Sequence, residues 1–512
     1  MKKQILLISI CLAGLTVSAQ VSKSVNISAG GLLTALTTTE LHTVTNLTVT
    51  GIIDARDFKT MRDSLTLLSS LDISNVTIAS YAGTEGTKGI SNIVYPANEI
   101  PIFAFFIFNK SIGKTSLVSV VMPLSTTTIG SQAFYYCSGL TGITIPSLVT
   151  SIGSQAFYGC SNITSITIPG SVTTLESQAL NFCTKLNTIT VENGNLNYSS
   201  LDGVLFNKDQ TILILYPSGK TGISYSIPAT ATSIGDHGFQ ACNSLTIITI
   251  PSSVVSIETC AFSFSPTLNA INVESANQNY TDIEGVLFDK NQTTLIQYPQ
   301  GKLESSYIIP ATVRTINDYA FFYCTNLTTV ETQVSLITIG NFAFYHCSGL
   351  TSITIPASVT SLGSQAFSFC SGLTSINVYS PTPIDLSSTG SVFNNVNKST
   401  CTLYVPSGSK SLYNVANQWK DFTNILEFTT AVSSVSDGGS LQIYPNPITN
   451  GFFVKGLEED AILTIIDLNG RTLVNKKITK NEYVPIQTLT KGIYTLMLVG
   501  ERRNMIQKII KQ

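Results

Sequence analysis

A pattern that repeats every 23 residues dominates this sequence and limits its fold more than any other feature. The segment Ile-Gly-Ser-Gln-Ala-Phe-Tyr-x-Cys begins at Ile129 and begins again at Ile152. Further units begin at Leu175, Ile234, Ile257, Ile316, Ile339 and Leu362. A fixed period of this length is typical of a solenoid, in which each repeat packs against its neighbours and none folds alone.

Within one unit, the spacing of the apolar residues changes from helical to strand-like. Apolar residues between Ala133 and Leu140 recur at helical spacing, whereas Ile143 and Ile145 alternate with polar residues as in a strand. Pro146 then ends the strand, because proline has no N–H to donate to a sheet. Each unit is therefore predicted to form one coil of a solenoid that combines a parallel β-sheet with short helical turns.

Two units are longer, at 59 residues, and they resemble each other. One contains Asn-Tyr-Ser-Ser-Leu-Asp-Gly-Val-Leu-Phe from Asn197, and the other contains Asn-Tyr-Thr-Asp-Ile-Glu-Gly-Val-Leu-Phe from Asn279. We expect an extra coil in each, with a hairpin in place of its helical turn. The hairpin turns are predicted near residues 208–210 and 290–292.

Weaker units extend the array at both ends, to about fourteen parallel strands in one sheet. These additional strands are predicted at Leu47–Val49, Leu71–Ile73, Val120–Pro123 and Leu403–Pro406. Residues 20–99 would form an N-terminal cap with degenerate repeats, and residues 100–428 the solenoid with its C-terminal cap. A short helix is predicted to cover the last coil with one apolar face, which consists of Leu412, Val415, Trp419 and Phe422.

The composition is that of a folded protein with a nearly neutral surface. Charged residues make up 11% of the chain and apolar residues 43%, a balance that excludes disorder. The net charge of −2 provides no basic surface for nucleic acid, so no nucleic-acid partner is expected. Hydroxyl and amide side chains provide the polar surface instead.

Residues 1–19 have the features of a signal peptide. Lys2 and Lys3 precede an apolar segment from Ile5 to Val17, and Val17-Ser18-Ala19 offers a cleavage site of small residues. The apolar segment is shorter than the roughly 20 residues of a membrane span. We expect cleavage near Ala19, export from the cytoplasm and no transmembrane helix.

The sequence offers little for catalysis. His42, His237 and His346 are its histidines, and none belongs to a metal-binding or general-base motif. Three carboxylates cluster near the N-terminal cap, where a capping role is favoured over a metal or acid-base role; they are Asp54, Asp57 and Asp63. The sequence therefore predicts a non-enzymatic protein without a cofactor or bound metal.

Cysteines recur with the repeat, and they are predicted to pack as a ladder of buried thiols. Cys137, Cys160 and Cys183 take the place of an inward apolar residue, and a buried thiol behaves as a small hydrophobic group. Side chains stacked in parallel have poor geometry for disulfides. Cys260 breaks the register, because Ser265 occupies the ladder position of its unit.

The outward positions of the strands are the predicted binding face. These residues are short and mostly neutral, and they are Thr144, Thr167, Thr190, Ser226, Thr249, Asn272, Ile308, Glu331, Thr354 and Asn377. The alternative is that threonine is simply a favourable strand residue on a solvent-facing side. Ile308 and Glu331 depart from the polar pattern.

A second row, of aromatic residues, lies near the predicted helical turns. Its members are Tyr135, Tyr136, Tyr158, Phe322, Tyr323 and Tyr345. Half of this row is expected in the core, and its exposed members could anchor a partner.

The frame Ile-Gly-x-x-Ala-Phe-x-x-Cys-x-x-Leu-x-x-Ile-x-Ile-Pro resembles the BspA-like leucine-rich repeats of bacterial surface proteins, over roughly residues 100–406. The resemblance implies a horseshoe-like fold of stacked repeats. It also implies a binding role, typically adhesion to host or matrix proteins.

A separate domain follows the repeats. Residues 429–440 form a predicted linker rich in threonine, serine and glycine, and residues 441–512 a small all-β sandwich of short antiparallel strands. Asn469-Gly470 is a favourable hairpin turn. A structural β-domain without a signal role is the simplest alternative.

This last domain resembles the type A C-terminal sorting domain of the type IX secretion system. The residues that carry the resemblance are Pro445, Asn446, Pro447, Gly470, Gly492, Tyr494, Lys508 and Lys511. The resemblance implies the type IX machinery as a partner, export to the outer surface of a Gram-negative bacterium, and either anchoring or release.

Three functions remain open on the sequence. The first is a scaffold that adheres to proteins, the second is a carbohydrate-binding surface protein, and an enzyme is the third. Exposed aromatic pairs in a groove would favour sugar, whereas a broad Thr/Asn face with a few apolar anchors would favour protein. Deep pockets with paired carboxylates would favour catalysis.

Overall fold

A computed structural model describes residues 20–89, 93–428, 441–444, 446, 448–457, 460–466, 472–480, 482–500 and 504–511, with side chains for all of these except 499, 500 and 504–508. The predicted signal peptide and linker lie outside the described residues. The chain forms two compact units. The first unit comprises residues up to Leu268 and Val273–Gln278, and the second comprises Asn269–Asn272 and the chain from Asn279.

Most coils of the first unit contribute strands to two ladders, and neighbouring strands of one ladder pair in parallel. We call the members of the two ladders the longer and the shorter strands, after their usual lengths. The longer strands are Ser22–Ile27, Asn46–Ile53, Ser70–Ile78, Ser119–Val121, Ser165–Ile168, Thr188–Val191, Ser224–Ser226 and Ile247–Ile250. The shorter strands are Glu99–Ile100, Thr128–Ile129, Ser151–Ile152, Thr174–Leu175, Ile212–Leu215, Ser233–Ile234 and Ser256–Ile257. Two small hairpins pair Tyr81–Ala82 with Val94–Tyr95 and Phe106–Ile107 with Ile112–Gly113.

The second unit repeats this arrangement. Its longer strands are Ser306–Ile308, Thr329–Glu331, Ser352–Ile355, Ser375–Val378, Thr402–Val405 and Asn424–Glu427, which form one parallel sheet in that order. Its shorter strands are Thr294–Gln297, Thr315–Ile316, Thr338–Ile339 and Ser361–Leu362. The strand Ala270–Val273 spans the boundary between the units. The parallel-strand solenoid that the repeat predicts is thereby confirmed.

The segment of helical spacing folds into tight turns and not into a helix. Ala133 N donates to Gly130 O within its coil, whereas Phe134 N donates to Ala156 O of the next coil. This alternation continues, because Tyr136 N bonds Tyr158 O. Every second N–H therefore serves the next coil, whereas a helix would use every N–H locally. The apolar residues of the segment are nonetheless buried as the spacing predicts.

Both long units contain the predicted hairpins. In the first, Tyr198–Leu201 pairs antiparallel with Val204–Asn207, which pairs antiparallel with Ile212–Leu215. In the second, the equivalent strands are Tyr280–Ile283, Val286–Asp289 and Thr294–Gln297. The third strand of each hairpin occupies a place among the shorter strands, since Leu213 pairs in parallel with Ile234.

The hairpin of the first unit interrupts the ladder of longer strands. Ile189 N donates to Gly203 O at the hairpin turn, so the hairpin occupies the place beside Thr188–Val191. The single sheet expected from the sequence is therefore wrong, and the longer strands of this unit form separate sheets. Buried Asn195 fixes the start of the hairpin, because its Nδ2 donates to Pro169 O and Val172 O at 2.8 and 2.9 Å.

Short helices close the solenoid. Those of the N-terminal region are Leu32–Ala35, Thr38–Thr43 and Ala55–Asp63, and the 3₁₀ turn Phe108–Lys110 follows later. The C-terminal cap holds the helix Lys410–Tyr413 and the 3₁₀ turn Trp419–Asp421.

The predicted C-terminal cap is partly corrected. Trp419 and Phe422 are buried as expected, but Leu412 and Val415 are exposed. The helix is only four residues long, so helical spacing does not extend from Leu412 to Trp419. Tyr413 fills the core in their place.

The C-terminal region contains two antiparallel sheets around one apolar core. One sheet consists of Gln442–Tyr444, Gly451–Lys455 and Tyr483–Pro485. The other consists of Thr472–Ile478, Ala461–Ile466, Gly492–Gly500 and Asn504–Lys511 in that order. Throughout the described part of the chain, no helix is long and apolar enough to span a membrane.

Candidate binding surfaces

The predicted binding face lies on the outer side of the longer strands. Thr167 pairs with Thr190 in the first unit, and Ile308 pairs with Glu331 in the second. The exposed residues of this set are Thr144, Thr167, Thr190, Ser226, Asn272, Ile308 and Glu331, and the half-buried ones are Thr249, Thr354 and Asn377. Thr144 lies outside any strand.

The threonine hydroxyls on the coil surface fall into two groups, those that bond the preceding coil and those that do not. Thr150 Oγ1 donates to Thr127 O of the preceding coil at 3.3 Å, and Thr173 Oγ1 donates to Thr150 O at 3.2 Å. The hydroxyls of Thr167 and Thr190 make no hydrogen bond within the described residues. Because these hydroxyls have no structural partner there, they can bond solvent or a ligand.

In the second unit, the outward column continues beyond its last predicted member. Asn377 pairs with Tyr404, which pairs with Leu426. Tyr379 and Phe428 lie beside this column, with ring centroids 4.8 Å apart. We call Tyr379, Tyr404, Leu426 and Phe428 the apolar corner.

Two members of the apolar corner are well exposed. Tyr379 is 53% exposed and Leu426 is 42% exposed. Sequence reasoning missed them because it ended the strands at Pro406 and missed the strand Asn424–Glu427. The alternation of Leu403, Tyr404 and Val405 was the available signal for the outward position of the tyrosine.

The aromatic row packs on itself. Tyr135 stacks on Tyr158 with centroids 5.0 Å apart and an interplanar angle of 11°. Phe322 stacks on Tyr345 at 5.2 Å and 15°. Tyr136 is the most open member, and Phe322 is buried. Rings stacked in columns have their faces covered by one another, so the row presents mainly ring edges to solvent.

A column of polar side chains, which sequence reasoning missed, follows the turns of the first unit. Gln132 Nε2 donates to Gln155 Oε1 at 2.6 Å, and Gln155 Nε2 donates to Gln178 Oε1 at 2.9 Å. Gln178 Nε2 then lies 3.3 Å from both ring nitrogens of His237. These residues share a left-handed backbone conformation, with φ between 54° and 57°. The repeated glutamine was the available signal.

The cysteine ladder is present, and its thiols also donate hydrogen bonds. Cys160 Sγ donates to Phe134 O at 3.1 Å, and Cys183 Sγ donates to Phe157 O at 3.2 Å. Ser265 makes the same bond with its hydroxyl, to Phe239 O at 2.8 Å. Burial raises the pKa of Cys183 to about 12, so its thiol stays protonated at neutral pH.

Two members of the acidic cluster cap a helix, whereas the third, Asp63, is the last residue of that helix and pairs with Lys59 and Arg62. Asp54 accepts from Arg56 N and Asp57 accepts from Asp54 N, which is a capping box at the start of Ala55–Asp63. Burial raises the pKa of Asp57, which also accepts from Leu32 N at 2.9 Å. No three potential metal ligands converge in the described parts of the chain.

A small cavity of about 240 Å³ lies at the end of this helix, beside Arg62, Asp63 and Lys114. Arg62 donates to Asp63 and to three backbone carbonyls. Lys114 Nζ donates to Leu65 O at 2.6 Å, and burial lowers its pKa to about 8. These groups hold the helix end in place, and the cavity does not contain the paired carboxylates of an acid-base site.

The predicted sorting residues that are described meet at the C-terminal strand. Asn446 Oδ1 accepts from Ile510 N at 3.0 Å, and Lys511 Nζ donates to Thr449 O. Tyr494 is buried and its hydroxyl donates to Thr490 O at 2.7 Å. Gly492 pairs with Lys511. Pro445, Pro447, Gly470 and the side chain of Lys508 lie outside the described residues.

Two family models match the chain. The BspA-type leucine-rich repeat region matches in six copies, over residues 106–224, 218–305 and 297–420. The secretion-system C-terminal sorting domain matches over residues 442–512. No curated protein matches the chain.

Several solved bacterial structures are similar to the chain. A leucine-rich repeat protein from Eubacterium ventriosum is 23% identical, with 64% of this chain and 82% of that chain covered and a TM-score of 0.41. A leucine-rich cell surface protein from Faecalibacterium prausnitzii is 26% identical, with 67% and 85% covered and a TM-score of 0.39. A leucine-rich repeat protein from Bacteroides ovatus is 18% identical, with 79% and 92% covered and a TM-score of 0.32.

Proposed function

The chain belongs to the BspA-type leucine-rich-repeat family and carries a type IX sorting domain, and from that premise we propose that it is an adhesive scaffold that binds proteins outside the cell. The sorting domain implies handling by the type IX secretion machinery and a location in the medium or on the outer surface.

The observation that carries the proposal is the apolar corner at the end of an otherwise polar face. Ile308 is 63% exposed on the same sheet, so apolar groups occur near both ends of the column. Exposed apolar groups set among polar ones are typical of protein-binding sites, and tyrosine is enriched among the residues that dominate binding. We propose that the outward ladder from Ile308 to Asn377 and the apolar corner together form the binding face.

The threonine ladder of the first unit is a second contact area in this proposal. Its hydroxyls can donate and accept hydrogen bonds without breaking a structural bond. Glycan binding is the alternative, and it has less support. A sugar ring needs an open aromatic face, whereas the stacked aromatic row offers mainly ring edges. Catalysis forms no part of the proposal.

Binding of the full chain to parallel arrays of extracellular matrix proteins and of glycans tests the proposal. The decisive variant replaces Tyr379 and Leu426 by serine. The matched control replaces Leu303, an exposed apolar residue of a loop, by serine. We expect saturable binding to a protein, weakened at least about tenfold by the double substitution and unchanged in the control.

Binding to a glycan alone would replace the proposal with the carbohydrate-binding alternative. Protein binding that survives the double substitution would move the site to the first unit. There, replacement of Thr167 and Thr190 by alanine is the next variant. Failure to bind any protein would contradict the adhesive role.

A further inference from the structure

The cavity of about 240 Å³ in the first unit lies between a helix end and a hairpin. The helix side contributes Arg62 and Asp63 to its lining. The hairpin contributes Ile107 and Ile112, and Lys114 follows directly after it. The cavity therefore combines charged groups with apolar ones.

Lys114 places a buried cation at this cavity. The residue is 8% exposed, and its Nζ donates to Leu65 O at 2.6 Å and to Arg62 O at 3.4 Å. These two bonds use two of the three protons of the ammonium group. None of the ion pairs in the described part of the chain includes Lys114. A buried charge without a counter-ion is costly, so an anion beside this amine would be stabilising.

Positive charges outnumber negative ones around the cavity. Arg62 donates to both oxygens of Asp63, at 2.7 and 3.1 Å. Lys59 Nζ lies 3.4 Å from the same carboxylate. One carboxylate thus serves Lys59 and Arg62 together, and the charge of Lys114 is left over. Such an excess of positive charge in partly buried surroundings attracts an anion.

The hairpin gives the cavity an apolar wall. Ile107 and Ile112 are directly opposite each other in the antiparallel pair, so their side chains lie on the same face. Ile112 is 53% exposed, and an aliphatic group that covered it would remove apolar surface from water. The cavity has the volume of about eight water molecules, so it accommodates only a small group.

We infer that this cavity binds a carboxylate on a short aliphatic chain, with Lys114 as its counter-ion and with Ile107 and Ile112 as its apolar contacts. A single negative charge matches the one ammonium group that has no ion partner among the described residues. Both a free short-chain acid and a glutamate side chain of a peptide carry this chemistry. The inference is independent of the proposed adhesive role.

Saturation-transfer difference NMR on the full chain, at pH 7 and low ionic strength, tests the inference. The probes are butyrate and N-acetylglutamate amide, which is a blocked glutamate. We expect saturable binding of a carboxylate and none of 1-butanol, which has the chain without the charge. Tighter binding of butyrate would identify a free acid as the ligand, and tighter binding of the blocked glutamate would identify a peptide.

Lys114→Met keeps the length of the side chain and removes its charge. It should raise the Kd of butyrate at least about tenfold, because a hydrogen bond to a charged group is lost. Lys110→Met is the matched control, since Lys110 is an exposed lysine in the turn of the same hairpin. Ile112→Glu changes an exposed position, so the fold accepts it, and its carboxylate competes for Lys114. It should weaken butyrate binding to a similar extent, which keeps the test decisive if the Lys114 variant does not fold.

The Kd of butyrate for the wild type should also rise between pH 7 and pH 9.5. Burial lowers the pKa of Lys114 to about 8, so the amine loses its charge in this range. Two other titratable groups act on this amine, and both keep their charge state there. Burial raises the pKa of Cys137 to about 12, and the pKa of Asp63 is lowered, because the hydrogen bonds from Arg62 outweigh its burial.

Three results would overturn the inference. The first is equal butyrate affinity in the wild type and in the Lys114 and Ile112 variants. The second is an absence of saturable binding of either carboxylate probe to the wild type. The third is displacement of butyrate by an equal concentration of chloride or phosphate, since a site for any anion does not select a carboxylate.

Discussion

Two residues of each coil hold a left-handed backbone conformation although few of them are glycine. The positions equivalent to Gln132 and Tyr136 recur with φ near 55° through both units. Each such residue costs about 1–3 kcal/mol. The conformation persists because it directs alternate N–H groups to the next coil, where each finds a carbonyl.

The equivalent of Tyr136 in the next coil is Gly159. We expect that adding a side chain at Gly159 has a larger effect on stability than removing one at the equivalent Ala241. A Cβ at Gly159 would lie 2.5 Å from Cδ1 of Tyr136. Gly159→Ala should therefore lower the free energy of unfolding by about 1–3 kcal/mol, since it adds both backbone strain and a contact that moves the tyrosine. Ala241→Gly, at the equivalent site of a later coil, is the control and should change it by less. Urea unfolding followed by circular dichroism measures both, and equal effects would refute the argument.

The thiol ladder gives a second test at this scale. Cys160→Ser should retain the hydrogen bond to Phe134 O, as Ser265 retains its own, and should change the free energy of unfolding by less than about 1 kcal/mol. Cys160→Ala removes that donor and part of the packing, so we expect a loss of about 1–2 kcal/mol. The same urea titration applies. A serine variant less stable than the alanine variant would show that the thiol acts by packing alone.

At the scale of the elements, the sequence pattern predicts which side chains are buried. It does not predict which backbone hydrogen bonds form, and therefore not the type of element. Spacing predicted which residues between Ala133 and Leu140 face the core, and these are buried. It could not predict tight turns in place of a helix, because both place the same side chains inward. Leu412 and Val415 are exposed for a similar reason, because the helix ends at Tyr413 and the helical spacing assumed for them does not continue.

The end of the helix Ala55–Asp63 is held by Lys114, whose contribution to stability depends on pH. The pKa of Lys114 falls from 10.5 to about 8 on folding, because the amine is buried. Between pH 8 and 10.5 the unfolded chain binds this proton and the folded chain does not, so the group adds stability as pH rises. The gain should reach about 2–3 kcal/mol.

Cysteine and tyrosine ionisation acts in the opposite direction at high pH. The test therefore compares two proteins, the wild type and Lys114→Met. For each, the urea midpoint is measured at pH 7.5 and at pH 10, and the change between the two pH values is compared. The wild type should gain more than the variant on going to pH 10. Parallel pH profiles would contradict a lowered pKa.

At the scale of the whole molecule, repetition made the solenoid predictable and short motifs made the sorting domain predictable, whereas the binding face was predictable only in part. Outward threonines recur with the period and were found from it. The apolar corner combines Tyr379, which stands where the repeat frame has proline, with Phe428, which follows the last strand of the sheet. Likewise, no periodic signal could show that a hairpin interrupts the ladder.

Export should depend on the closure of the C-terminal strand. Asn446→Ala removes the acceptor for Ile510 N, which should weaken the attachment of the chain end by about 1 kcal/mol and lower the secreted fraction. Immunoblots of medium, cell surface and periplasm measure this fraction. Asn475→Ala, elsewhere in the same domain, is the control. Normal secretion of the Asn446 variant would show that the hydrogen bond between Asn446 and Ile510 is not required for sorting.

The chain has a single tryptophan, Trp419, which is fully buried in the C-terminal cap. Its Nε1 donates to Ile384 O at 2.9 Å, so the indole is fixed against the final coils. Intrinsic fluorescence therefore reports on one end of the solenoid, whereas circular dichroism averages over all coils. If the end frays before the middle, the two signals will separate along a urea gradient, and the molecule thus carries an optical probe of its own cap.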